Sequence, residues 1–131
     1  MEDYLDIENR FIAVTRAILE AAGCTYVTLG YVEAIRGKVV KEGMRVRVQQ
    51  IDHYIRLFLR GKVWIVFINS SNGVQFDFDE DVMYMHLFCR IPDEQLREIV
   101  ESRGLYLDPR VKKVVMCYDD RIEIYTFEKK Q

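Results

Sequence analysis

At 131 residues the chain has the usual size of one domain, and with half its residues hydrophobic and only two prolines it can fold without a metal or disulfide staple. A formal charge of −2 excludes a whole-molecule attraction to nucleic acid or an acidic membrane, so any such binding must come from a local patch. The opening Met1-Glu2-Asp3-Tyr4-Leu5-Asp6 is acidic where a secretory signal is basic and then apolar, and the longest purely apolar run, Val63 to Ile68, is too short to span a bilayer.

In chain order, Ile7, Phe11, Val14, Ile18 and Ala21 or Ala22 recur at helical spacing and predict a helix from about Asp6 to Ala22, ended by Gly23. From Cys24 the text becomes β-rich. Strands are expected at Thr25 to Tyr31, Val32 to Val40 around Arg36-Gly37-Lys38, Met44 to Gln49, Tyr54 to Arg60, Lys62 to Asn69, Val74 to Phe78 and Val82 to Ile91. Val32, Ile35 and Val39 would also line one side of a short helix, so a hairpin and a helix both fit that stretch. Ser70-Ser71-Asn72-Gly73 is the strongest turn signal, because Asn-Gly supplies the positive φ angles of a tight hairpin. A second helix is expected to begin near Pro92, with Asp93 and Glu94 in its first turn and Arg103-Gly104 at its end. Strands Val111 to Tyr118 and Arg121 to Phe127, joined through Asp119-Asp120, close the chain. The order helix, meander, helix, hairpin defines a single α+β domain over residues 1–131, an antiparallel sheet with helices on one face.

The residues that carry chemistry are few. Cys24, Cys89 and Cys117 are an odd number at wide spacing with no Cys-x-x-Cys pair, which fits the cytoplasm better than a secreted disulfide framework. His86-x-x-Cys89 is the one close pair of soft ligands, but residues three apart on a strand point to opposite faces and cannot chelate together. Asp77, Asp79 and Asp81 alternate on one strand face and could hold magnesium or manganese, the basis of a metal-dependent nuclease reading; a solvated acidic edge or loop that blocks strand aggregation explains them more cheaply. No Gly-x-Ser-x-Gly, phosphate-cradling loop or dinucleotide fingerprint is present, so neither a catalytic residue nor a cofactor is expected.

Two segments thirty residues apart carry nearly the same text, His53-Tyr54-Ile55-Arg56-Leu57-Phe58-Leu59-Arg60 and Met83-Tyr84-Met85-His86-Leu87-Phe88-Cys89-Arg90. As strands, each presents aromatic, basic, aromatic, Arg on one face and aliphatic, Met or Cys residues on the other. Were they to share a sheet, Tyr54, Arg56, Phe58, Arg60, Tyr84, His86, Phe88 and Arg90, with Arg45 and Arg47, would form one aromatic and basic surface. Interface centres are enriched in tyrosine and arginine, and two helices cannot cover both faces of so much sheet; the expected function is a non-catalytic protein-interaction module, a homo-oligomer, working through the uncovered face. The alternative partner is single-stranded nucleic acid, whose bases stack on aromatic platforms while arginine neutralises phosphate.

Short segments dense in Val, Ile, Tyr and Arg, as in Met44-Arg45-Val46-Arg47-Val48 and Arg121-Ile122-Glu123-Ile124-Tyr125, with 12 Arg against 7 Lys, make the chain resemble small orphan proteins of viruses that infect hyperthermophilic archaea. That resemblance implies a viral protein of the host cytoplasm. It also implies that a disulfide is allowed despite the intracellular setting, such as one between Cys89 and Cys117.

Overall fold

The computed structural model of the protein describes residues 2–34, 41–79, 84–107 and 114–117. Helix α1, Glu2–Ala21, buries Phe11, Val14, Ile18 and Leu19 along one face. It ends where Gly23 takes φ 80° and the Cys24 amide donates to the Leu19 carbonyl at 2.8 Å. Strands β1, Tyr26–Ala34, and β2, Arg45–Arg47, follow, then a 3-10 turn at Val48–Gln50 that leads into helix α2, Ile51–Leu59. Strand β3, Val63–Asn69, is joined to β4, Val74–Asp79, by a second 3-10 turn at Ser70–Asn72, and β5, Tyr84–Phe88, completes a meander. Helix α3, Asp93–Glu101, precedes β6, Tyr106–Leu107, and β7, Val114–Cys117.

The strands form one sheet in the order β2-β1-β3-β4-β5-β7-β6, with every neighbouring pair antiparallel. This is the α+β antiparallel architecture expected from the sequence. One face of the sheet presents Val27, Leu29, Ile65, Phe67, Phe76, Phe78, Met85 and Leu87, all buried. The aromatic rings there interlock: Phe67 stacks on Phe76 at 4.7 Å, while Phe11 from α1 and Phe58 from α2 stand edge-on to Phe78 at 5.9 and 5.4 Å. Helix α3 packs beside α1 and contributes Leu96 and Val100 to the same core.

Several segments differ from expectation. Tyr54–Arg60 is not a strand but most of α2. Its text alternates at period two, yet Ile51, Ile55, Phe58 and Leu59 also recur at helical spacing, and Gly61 in the left-handed region at φ 72° stops the helix. The helical stripe buries all four of these side chains, which a strand could not do from alternate positions. Strand β1 runs unbroken past Tyr31 to Ala34, with a register shift between Leu29 and Tyr31. Gly30 sits at that bulge, with the Ile68 side chain packed over its Cα. The expected Met44 to Gln49 strand is reduced to Arg45–Arg47, because the chain turns at Val48 to enter α2. The Ser70–Gly73 segment does join antiparallel strands, but only Gly73 has positive φ, 70°; the Asn69 side chain accepts from the Asn72 amide at 3.0 Å and closes a 3-10 turn instead of a two-residue hairpin. The second half of the Val32 to Val40 hairpin and the Arg121 to Phe127 strand lie outside the described residues.

Candidate functional site on the open sheet face

Side chains alternate along a strand, so every residue between the buried ones points to the opposite face of the sheet. That face carries Arg45 and Arg47 on β2, Tyr26, Thr28, Tyr31 and Glu33 on β1, and Trp64, Val66 and Ile68 on β3. Gln75 and Asp77 on β4, His86 and Phe88 on β5, and Tyr106 on β6 continue it. Four of the five exposed large hydrophobic residues among those described stand here: Tyr31 is 46% exposed, Trp64 36%, Phe88 38% and Tyr106 50%. Trp64 among them also touches helix α2, through the Phe58 ring.

Among the described residues, this face carries shallow clefts, two of them near β1. The larger, about 550 Å³, is lined by Tyr31, Glu33, Trp64 and Val66. Tyr31 and Trp64 meet edge to face at 5.3 Å, and Glu33 is the register partner of Trp64, so a carboxylate stands directly beside an aromatic pair. The indole also comes within 6.2 Å of the Phe58 ring, which anchors one side of it. The second cleft, about 470 Å³, is lined by Thr25, Tyr26, Arg45, Arg47 and Gln49; the Arg45 guanidinium sits 4.5 Å from the Tyr26 ring centroid, a cation–π contact. Farther along, Asp77 and His86 are cross-strand partners whose Oδ1 and Nδ1 lie 2.9 Å apart.

The expected surface is split by the fold. Arg45, Arg47, His86 and Phe88 are on the open face, and Tyr84 holds the β5 position opposite Asp79 and Cys117. Arg90 lies just beyond β5, its side chain against Gly73. Tyr54, Arg56, Phe58 and Arg60 are on α2, across the sheet from the others. Phe58 is fully buried, and Tyr54 packs partly buried against the core with His53 edge-on at 5.1 Å. The two arginines converge on Glu8 of α1, which is 0% exposed: Arg60 Nε donates to Oε2 at 2.8 Å, and Arg60 Nη2 and Arg56 Nη1 both donate to Oε1 at 3.0 Å. Burial pushes the Glu8 carboxyl up, but the hydrogen bonds and charges of Arg60 and Arg56 outweigh it and hold the group below its usual range. These arginines staple α1 to α2 and are spent on that carboxylate.

Asp77 is engaged by His86, Asp81 lies outside the described residues, and among the described residues no three of His, Cys, Asp and Glu come together as metal ligands. Cys24 is an unbridged, buried thiol whose pKa burial raises. The register overturns a Cys89 to Cys117 bridge, because Cys117 pairs with Tyr84, five residues before Cys89. At about 3.3 Å per residue that is on the order of 16 Å, far beyond the roughly 7 Å limit for a disulfide. Sequence reasoning missed Tyr26, Tyr31, Glu33 and Trp64. The available signal was Trp64, Val66 and Ile68, which make both faces of β3 apolar although one face alone meets helices.

No helix among the described residues is long and apolar enough to cross a membrane. No family model matches the chain, and neither a curated protein nor a solved structure matches it.

Proposed function

We propose that the protein is a non-catalytic interaction module that associates with a second copy of itself through the open face of its sheet. The observation that carries this reading is the placing of Tyr31, Trp64, Phe88 and Tyr106, exposed together on the side opposite the helices. An uncovered sheet face that carries these four aromatics together with Val66 and Ile68 is a natural docking surface. A second copy fits the charges: Arg45 and Arg47 lie toward one end of β1, opposite Thr28 and Tyr26, and Glu33 lies at its other end beside Trp64, so a two-fold axis sets opposite signs against one another. Sheet-on-sheet packing at about 10 Å is the ordinary way to cover such a face. Under the resemblance to viral proteins, this assembly belongs in the cytoplasm of a host cell. Sedimentation equilibrium tests it: the parent should form a dimer that Trp64→Ala weakens, and a parent that stays monomeric at every accessible concentration would remove the reading.

Single-stranded nucleic acid is the second reading, favoured by the Arg45 guanidinium over Tyr26 with Arg47 in the same cleft. It is weakened by the engagement of Arg56 and Arg60 with Glu8, which leaves few cations for phosphate. Oligonucleotide binding across a salt series, with Arg45→Ala and Arg47→Ala beside the parent, separates the two. Salt-sensitive binding that both variants reduce would put nucleic acid first.

A further inference from the structure

We propose that the cleft formed by Tyr31, Glu33 and Trp64 is a receptor for an arginine side chain, and that the arginine it takes is Arg47 of a second copy. This deepens the self-association proposed above and rests on it.

The cleft has the chemistry of a guanidinium site. Two aromatic rings at 70° and 5.3 Å offer π-faces to a cation, and the exposed Glu33 carboxylate beside them can accept two parallel N–H bonds. A lysine ammonium suits it poorly, because its tightly held water would have to be replaced by hydrogen bonds that aromatic walls do not supply. A guanidinium is more weakly hydrated and stacks flat.

Arg47 is the complementary group on the same face. Among the described residues neither Glu33 nor Arg47 makes an ion pair or a side-chain hydrogen bond, whereas Arg45 is already stacked on Tyr26. The two charges cannot meet within one chain. Arg47 is opposite Tyr26, and Glu33 lies seven residues farther along β1. That separation is roughly 20 Å, several times the reach of an arginine side chain. A two-fold axis in the plane of the face, passing between these positions, carries each Arg47 onto the other copy's cleft. The contact is then made twice, residue i on residue j and j on i.

The test is a charge exchange. Self-association of the parent, Arg47→Glu, Glu33→Arg and the double variant is measured by sedimentation, with far-UV circular dichroism and thermal midpoints checking that each remains folded. Fluorescence of Trp64, the single tryptophan of the chain, follows dilution of the dimer. Each single variant should raise the dissociation constant about tenfold or more, since each change acts at two contacts, and the double variant should recover most of the loss. Trp64 emission in the parent should change as the dimer dissociates. If the parent dimerises while both single variants stay within about twofold, or if the double variant is no better than the singles, the arginine receptor is wrong and self-association through the face survives. A monomeric parent overturns both.

Discussion

Glu8 is the one fully buried carboxylate among the described residues, and two guanidiniums decide its protonation. Its folded pKa lies below the usual value of 4.5, so between these values the unfolded chain binds the extra proton. The stabilisation is fully present above the unfolded value and is lost as pH falls through the folded one. An acid titration followed by circular dichroism should therefore show a component in the parent that Glu8→Gln lacks. Removing one member of a wholly buried pair costs about 3–5 kcal/mol. Here Arg56 and Arg60 are 34% and 46% exposed and can rehydrate, so Glu8→Ala is expected to cost less, about 1–3 kcal/mol in chemical denaturation. Cys24 is the mirror case. Burial keeps its thiol protonated, so alkylation at neutral pH should spare it until the protein unfolds.

At the scale of elements, α2 decides how far the sheet is covered. Ile55 is fully buried and Leu57 is not, so Ile55→Ala should cost about 2–5 kcal/mol in urea denaturation and Leu57→Ala clearly less. A strand in this segment would have given the reverse ranking for Leu57 and Phe58, which would then lie on opposite faces. The same ambiguity limited what the sequence could tell. Helix α1 and strand β4 were legible because their apolar periodicity has one solution, and β3 because it is a short β-branched and aromatic run; Gly23 and Asn72-Gly73 punctuate them. In α2, Tyr54 to Arg60 satisfies period two while Ile51 to Leu59 satisfies period 3.6, and only tertiary packing chooses. The candidate site was half legible for the same reason: Arg45, Arg47, His86 and Phe88 lie on true strands and kept their face. Tyr54, Arg56, Phe58 and Arg60 lost it with the helix. Tyr31 was hidden because a bulge at Gly30 shifts the parity of β1; Trp64 was hidden because both faces of β3 are apolar, so its text does not say which face the helices take.

For the molecule as a whole, the sheet has two faces and the described helices dress one. Residues that hold the core and residues that serve the open face are therefore separable by substitution. Tyr31→Ala should leave the thermal midpoint of the monomer within a few degrees of the parent while weakening self-association; Phe67→Ala, on the buried side of the neighbouring strand β3, should cost about 3–5 kcal/mol. Hydrogen exchange should follow the strand order, slowest in the central β3 and β4 and fastest in the short edge strands β2 and β6.

The turn between β3 and β4 bears on chemical ageing. Asn-Gly is the dipeptide most prone to deamidate, because the glycine amide attacks the asparagine carboxamide to close a succinimide ring. In this turn the Asn72 carboxamide donates to the Ala22 carbonyl at 2.9 Å and the Gly73 amide donates to Ser70 at 3.1 Å, so both reacting groups are held in other bonds. The fold thus stores its most perishable pair in a protected form, and the damage clock runs chiefly in molecules that have opened. Peptide mapping after prolonged warming should find aspartate or isoaspartate at position 72 accumulating in proportion to the unfolded fraction, which makes this residue a record of how often each molecule has come apart.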